Sequence, residues 1–131
     1  MVLLCACHES DNEQILDQLD QVIESKGLYA VRFERRVDSL RRELCTASDD
    51  TMRWRTANRL FDSYITYNID TAARYVALMY DLAEHTGRRD MKFLSTTCDI
   101  SVLIGRNNIE DAYDRIRSLD TAGITKRMRA N

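Results

Sequence analysis

The chain contains no proline and only four glycines among its 131 residues. β-Sandwiches and barrels use these residues to reverse the chain at each hairpin, so their scarcity disfavours a turn-rich β fold. The chain also lacks a long apolar run, because none approaches the roughly 20 residues that cross a bilayer. With 44% hydrophobic residues, the sequence is too apolar for a disordered segment and favours a compact helical domain.

Neither sign of charge dominates the sequence, since 19 basic and 21 acidic residues leave a net charge of −2. This balance disfavours a protein that is held to nucleic acid by overall charge. The charges are nevertheless uneven: residues 1–31 carry six acids and one base, whereas residues 32–59 carry eight arginines and five acids. Solvated helix faces are the simpler interpretation, and a basic patch for nucleic acid is the alternative.

Few residues stand in patterns that support catalysis or metal binding. Cys5 and Cys7 precede His8, but the other histidine is His85, so four zinc ligands do not come together. There is no glycine-rich phosphate loop and no serine-nucleophile elbow. The irregular spacing of the four cysteines indicates reduced thiols in a cytosolic protein. We therefore expect no enzyme, no cofactor and no metal.

The two ends of the sequence give no targeting signal. The apolar start, residues 1–7, has no basic flank and makes a poor signal peptide, and the polar residues 126–129 do not form a tail anchor. We find no internal repeat, low-complexity segment or linker. The expectation is one domain over residues 1–131, whose first ten residues can be flexible.

Apolar residues recur at helical spacing through most of the chain, which predicts six to seven helices. The first pattern covers residues 13–26 and ends at Gly27, a natural stop. A second begins near Val31, weakens at residues 48–50 and resumes to residue 65. This pattern is either one bent helix or two helices.

Three further helices are predicted in the second half of the chain. They cover residues 72–83, 88–104 and 109–119. A loop ending in a cap at Asp70 precedes the first of them. Residues 120–128 are expected to add a final turn.

A segment in the first half of the second pattern resembles the BH3 motif of the Bcl-2 family. It has the motif's residues in order at Leu40, Leu44, Ala47, Ser48 and Asp49. Residues 15–29 are similar to the family's first helix, and residues 74–82 to the helix before its BH1 motif. Residues 85–88, His-Thr-Gly-Arg, stand where that motif has Asn-Trp-Gly-Arg. The short first loop is similar to that of homologues encoded by large DNA viruses.

The resemblance implies an all-α fold, a compact bundle of six to seven helices around a central helix. It also implies an inhibitor of apoptosis that holds the BH3 helix of a pro-death, Bim-like protein in an apolar groove. Arg88 would pair with the ligand's aspartate, because a guanidinium grips a carboxylate through two hydrogen bonds. The other groove residues that the resemblance implies are His85, Gly87, Leu78, Leu82, Met91, Tyr75, Met52 and Leu60.

Several alternatives stand beside this hypothesis. The apolar groove residues can be ordinary core, Arg88 a surface residue, and Asp49 a cap for the next helix. The same fold can serve as a viral adaptor that blocks innate-immune signalling through an outer face, and an unrelated nucleic-acid-binding module is a third option. The sequence does not decide between a monomer and a homodimer. A Bcl-2 homologue is expected in the host cytoplasm, recruited to mitochondria through its partners.

Overall fold

The computed structural model describes residues 7–119, with side chains from residue 12 onward. Five α-helices occupy this range: α1 (Cys7–Thr46), α2 (Asp50–Tyr64), α3 (Ile69–Thr86), α4 (Arg89–Gly105) and α5 (Ile109–Ser118). The all-α class is confirmed, but the expected count of six to seven helices is wrong. The predicted turn in residues 120–128 and the start of the predicted flexible segment lie outside the described residues. None of the described helices is long and apolar enough to cross a membrane.

The helix count is lower because two predicted helices form one. α1 continues through Gly27, where the sequence predicts a stop. A glycine in a helix interior costs only about 1 kcal/mol relative to alanine, and good helix formers such as Lys26 and Leu28 flank it. The predicted interruption at residues 48–50 does occur. α1 ends there, and the Asp49 carboxylate accepts a hydrogen bond from the Met52 amide at 2.8 Å, which caps α2.

The described chain divides into two compact units between Arg36 and Val37. The first unit contains only the amino-terminal part of α1. The second contains the rest of α1 and helices α2 to α5. All the buried apolar side chains of the described residues belong to this second unit: Val37, Leu40, Trp54, Ala57, Leu60, Phe61, Tyr64, Ala72, Val76, Met79, Leu82, Ala83, Met91, Ile100, Val102 and Ala112.

The helices of the second unit pack in chain order, α2 on α3, α3 on α4, and α4 on α5. Short connections join them, which is typical of antiparallel helical hairpins. Besides packing on α3 and α5, α4 forms side-chain hydrogen bonds with α2, and the expected arrangement of the bundle around a central helix stays a prediction.

Asparagines begin both α3 and α5. The Asn68 side chain accepts a hydrogen bond from the Thr71 amide at 3.0 Å, and Asn108 accepts one from the Asp111 amide at 3.4 Å. The predicted cap at Asp70 is wrong, since asparagine caps a helix as well as aspartate does. Asp70 lies in the first turn instead, and accepts a hydrogen bond from Arg106 at 2.6 Å.

A residue with left-handed backbone conformation lies in the turn before α4, and another lies in the turn after it. Gly87 ends α3 with φ 64°, and Asn107 follows α4 with φ 58°. Glycine and asparagine are the residues that adopt this conformation most readily. Gly87 therefore has a structural role at the turn between α3 and α4.

Candidate interaction face

Arg88, the residue predicted to hold a ligand carboxylate, holds one from its own chain. Its Nε donates to Asp90 Oδ1 at 3.1 Å and its Nη2 donates to Asp90 Oδ2 at 2.6 Å. These hydrogen bonds raise the pKa of Arg88 and lower the pKa of Asp90. The Arg88 guanidinium therefore binds the Asp90 carboxylate at the start of α4.

The other predicted groove residues fall into three different environments. Leu60, Leu82 and Met91 are buried in the core, where they offer no surface to a ligand. Leu78 and Tyr75 are half-buried, and the Tyr75 ring stacks on Tyr64 with 5.8 Å between ring centroids. The exposed members are Met52, His85 and Gly87.

The BH3-like segment forms the end of α1 and the turn into α2. Leu40 is buried, Leu44 and Ala47 are half-buried, and Ser48 is exposed. Asp49 is the cap of α2, so the structural alternative for this residue is confirmed. The segment belongs to the scaffold of the second unit.

Polar contacts hold the last turns of α1 on α2. The Glu43 carboxylate accepts hydrogen bonds from Thr56 Oγ1 and Arg59 Nη1, each at 3.0 Å. Two residues earlier on α1, Arg41 Nη2 donates to the Tyr64 hydroxyl at 2.7 Å. These contacts fix the position of α2, whose other sides pack on α3 and α4.

Side-chain hydrogen bonds join α2 to α4, the first helices of the two successive hairpins. The buried Trp54 Nε1 donates to Ser95 Oγ at 3.1 Å, and Ser95 Oγ donates in turn to the Met91 carbonyl at 2.8 Å. The Cys98 thiol donates to Asn58 Oδ1 at 3.6 Å. The first helices of the hairpins are therefore neighbours, although they are 39 positions apart in sequence.

The Asn58–Cys98 contact lies within a surface that both helices share. Asn58 forms a row on α2 with Arg55 and Asp62, three and four residues away, and Cys98 forms a row on α4 with Leu94 and Ser101. We call these six residues the α2/α4 face. Asn58 and Cys98 are half-buried and the other four are exposed. The face combines a cation, an anion, an apolar side chain and small polar groups.

The Cys98 thiol on this face is not activated. Burial and the nearby charge of Asp62 raise the pKa of the Cys98 thiol to about 11. The thiol therefore stays protonated at neutral pH, and a thiol is a poor nucleophile and metal ligand compared with a thiolate. Within residues 7–119, no group of three or more His, Cys, Asp and Glu residues is placed to hold a metal ion.

The two hairpins carry a repeated sequence, so the expectation of no internal repeat is wrong. Residues 68–72 read Asn-Ile-Asp-Thr-Ala and residues 108–112 read Asn-Ile-Glu-Asp-Ala. In each copy the asparagine caps a helix and the alanine is buried, with exposures of 0% for Ala72 and 3% for Ala112. The second unit is thus built from repeated helical hairpins, which defines the class of helical-repeat proteins.

The comparisons with known proteins identify the family within this class. The family model of the SusR N-terminal TPR domain matches residues 23–131. Since this is most of the chain, the chain belongs to that family. Neither the curated proteins nor the solved structures include a match. Trp54, Ala57 and Phe61 also keep the spacing of the aromatic and apolar positions in the first helix of a tetratricopeptide repeat.

The family match shows that the Bcl-2 resemblance is wrong. The functions that the resemblance implied are therefore wrong as well. These are the anti-apoptotic binding of a Bim-like BH3 partner, the viral origin and the viral adaptor alternative. The error has a physical reason, because the resemblance depended on the order of amphipathic helices, which many α folds share. The predictions that the chain is not an enzyme and is cytoplasmic stay predictions.

Proposed function

We propose that this chain is a protein-interaction module that binds an extended segment of a partner protein on the α2/α4 face. Domains built from stacked helical hairpins present extended surfaces to their partners, and the family match supports this mode of binding. The observation that carries the proposal is the contact of α2 with α4, which joins two rows of side chains into one surface.

The exposed groups of the face indicate the chemistry of the partner segment. Arg55 and Leu94 each lie one helix turn before the Asn58–Cys98 contact. Arg55 is exposed and forms no ion pair with another described residue, and Leu94 retains 47% of its surface. A cation beside an exposed leucine suits a segment that carries a carboxylate next to an apolar side chain.

A peptide-display selection tests this proposal. A random peptide library is selected on the immobilised full chain, and the enriched peptides are titrated against Arg55→Glu and Leu94→Asp variants. We expect acidic and apolar residues to be enriched, and each variant to weaken binding by at least about tenfold, as loss of an interface hot spot does. Arg74→Glu changes an exposed arginine on α3 and is the matched control.

Two results would contradict the proposal. One is enrichment of peptides that bind the two face variants as tightly as the unchanged chain. The other is equal weakening by Arg74→Glu, which would indicate attraction to overall charge. The helical circular dichroism of each variant establishes that it is folded before binding is compared.

A further inference from the structure

Helix α5 leaves three large apolar side chains exposed along one side. Ile109, Tyr113 and Ile116 retain 57%, 55% and 49% of their surface. Their spacing of four and three residues places them on one helix face, and we call these three residues the α5 stripe. Arg115, on another side of the helix, pairs with Asp99 of α4 at 3.2 Å. The side of α5 that faces α4 is therefore not the α5 stripe.

The corresponding residues of the first hairpin are covered. The repeat places Asn108 40 positions after Asn68, and the same offset relates the α5 stripe to Ile69, Ala73 and Val76 of α3. Val76 is 3% exposed, while Ile69 and Ala73 are half-buried. Within the described residues, the same side of the repeat is thus covered in the first hairpin and exposed in the second.

Helix α4 supplies the cover of the first hairpin. Gly105, at the end of α4, lies so close to the start of α3 that a Cβ at this position would overlap the Ile69 side chain. Near the other end of α3, the Tyr80 hydroxyl donates to Thr96 Oγ1 at 3.1 Å. These two contacts show that α4 runs antiparallel to α3 along this side. In the chain, α4 is the helix that directly follows α3.

We propose that residues 120–131, which directly follow α5, cover the α5 stripe in the way that α4 covers α3. The chain leaves α5 at Leu119 with φ −65° and ψ 116°. This conformation is close to that of Arg88, φ −82° and ψ 117°, from which α4 begins. Ten helical residues span about 15 Å, which is also the length of the ten-residue α5. After a turn of two residues, the segment is therefore long enough to return along all of α5.

The segment has the apolar side chains that such a cover needs. Ile124 and Met128 are four residues apart, so a helix places both on one face. In an antiparallel course, Ile124 lies nearest Ile116 and Met128 lies nearest Tyr113. Residues 120–131 fall within the part of the chain that the family model matches. Because the segment is joined to α5, its effective concentration at the stripe is on the order of millimolar, which favours it over a separate partner.

The charges of the segment complement an acid at the start of α5. On α3, Asp70 pairs with Arg106, which follows the end of α4, at 2.6 Å. The counterpart of Asp70 on α5 is Glu110, which forms no ion pair with another described residue. An antiparallel course brings the end of the segment near Glu110, and this end contains three basic residues: Lys126, Arg127 and Arg129.

Hydrogen exchange of the full chain, followed by mass spectrometry, tests the proposal. We expect Met128→Asp to accelerate exchange of the α5 amides by about tenfold or more, because the new charge resists burial against the stripe. Exchange in α2 should be unchanged. Ala130→Asp is the matched control, since it adds the same charge to the same segment, away from the helix face of Ile124 and Met128.

A disulfide cross-link identifies what covers the stripe. In a chain that carries both Ile116→Cys and Ile124→Cys, we expect the two new thiols to join within one chain, as judged by mass spectrometry of the linked peptides. The control pair is Ile116→Cys with Ala130→Cys, which should link far less. A link that forms only between two chains would show that a second copy covers the stripe, and would overturn the proposal.

Two further results would overturn the proposal. One is α5 exchange that is as slow in Met128→Asp as in the unchanged chain, and the other is equal acceleration by Ala130→Asp. The α5 stripe shares no residue with the α2/α4 face. Peptide binding by Arg55 and Leu94 is measured separately, so failure of either proposal leaves the other testable.

Discussion

The contact between Trp54 and Ser95 gives the sharpest test of the packing of α2 on α4. Ser95 is 0% exposed and accepts the indole hydrogen bond at 3.1 Å, while the Trp54 side chain is itself buried. A Ser95→Ala variant removes the acceptor and leaves the indole N–H in an apolar site. A buried donor without a partner costs about 1–3 kcal/mol.

The variant also changes the helix propensity of α4, and a second serine on the same helix corrects for this. Ser101 is exposed, and like Ser95 it donates its hydroxyl to a carbonyl four residues earlier. Ser101→Ala therefore gains the same few tenths of a kcal/mol from alanine without losing a buried bond. The difference between the two variants isolates the Trp54 contact at about 1–3 kcal/mol.

Urea unfolding followed by tryptophan fluorescence measures this difference. Trp54 is the only tryptophan in the chain, so its emission reports on the α2–α4 contact without interference. For a domain of this size, each kcal/mol should also lower the melting temperature by about 4–8 °C. Equal stabilities of Ser95→Ala and Ser101→Ala, within about 0.5 kcal/mol, would refute the buried hydrogen bond as a source of stability.

Three further predictions concern the helix ends and the Cys98 thiol. Asp49→Ala removes the cap of α2 and should cost about 1 kcal/mol in urea unfolding, whereas Asp49→Asn should retain most of the stability. Gly87→Ala places a Cβ at φ 64° and should cost about 1 kcal/mol, and an unchanged melting temperature would contradict this. Cys98, with a pKa of about 11, should react with iodoacetamide far more slowly at pH 8 than the exposed Cys45, as judged by peptide mass spectrometry. Since the Cys98 thiol keeps its proton to higher pH when folded than when unfolded, its contribution to stability is present below about pH 8.5 and is lost as pH rises through about 11.

Helical periodicity was sufficient to predict most of the second unit. The helices predicted over residues 72–83, 88–104 and 109–119 correspond to α3, α4 and α5. Each has a strong apolar pattern and a clear turn at both ends, so the local preferences agree with the packing. The same reasoning failed at Gly27, because a single unfavourable residue does not end a helix whose neighbours favour it.

The repeat could have been found from the sequence by comparing helix starts. The matching segments are only three residues long, Asn-Ile-Asp at positions 68–70 and Asn-Ile-Glu at positions 108–110. Their asparagine and their acidic residue nevertheless have the same structural roles in both hairpins. The asparagine caps the helix, and the acidic residue places a negative charge in its first turn. Between the two copies the core residues differ widely, which hides the repeat from a comparison of apolar residues.

The predicted groove and the exposed apolar residues at the start of α1 show the same limit of periodicity. Leu82 and Leu19 fit their helical patterns equally well, yet Leu82 is 4% exposed and Leu19 is 53% exposed. The pattern predicts that each leucine belongs to an apolar face, because an amphipathic helix gains most of its stability by burying that face. It does not specify what covers the face. Leu82 is covered within its repeat, whereas Leu19 stays exposed on the amino-terminal part of α1.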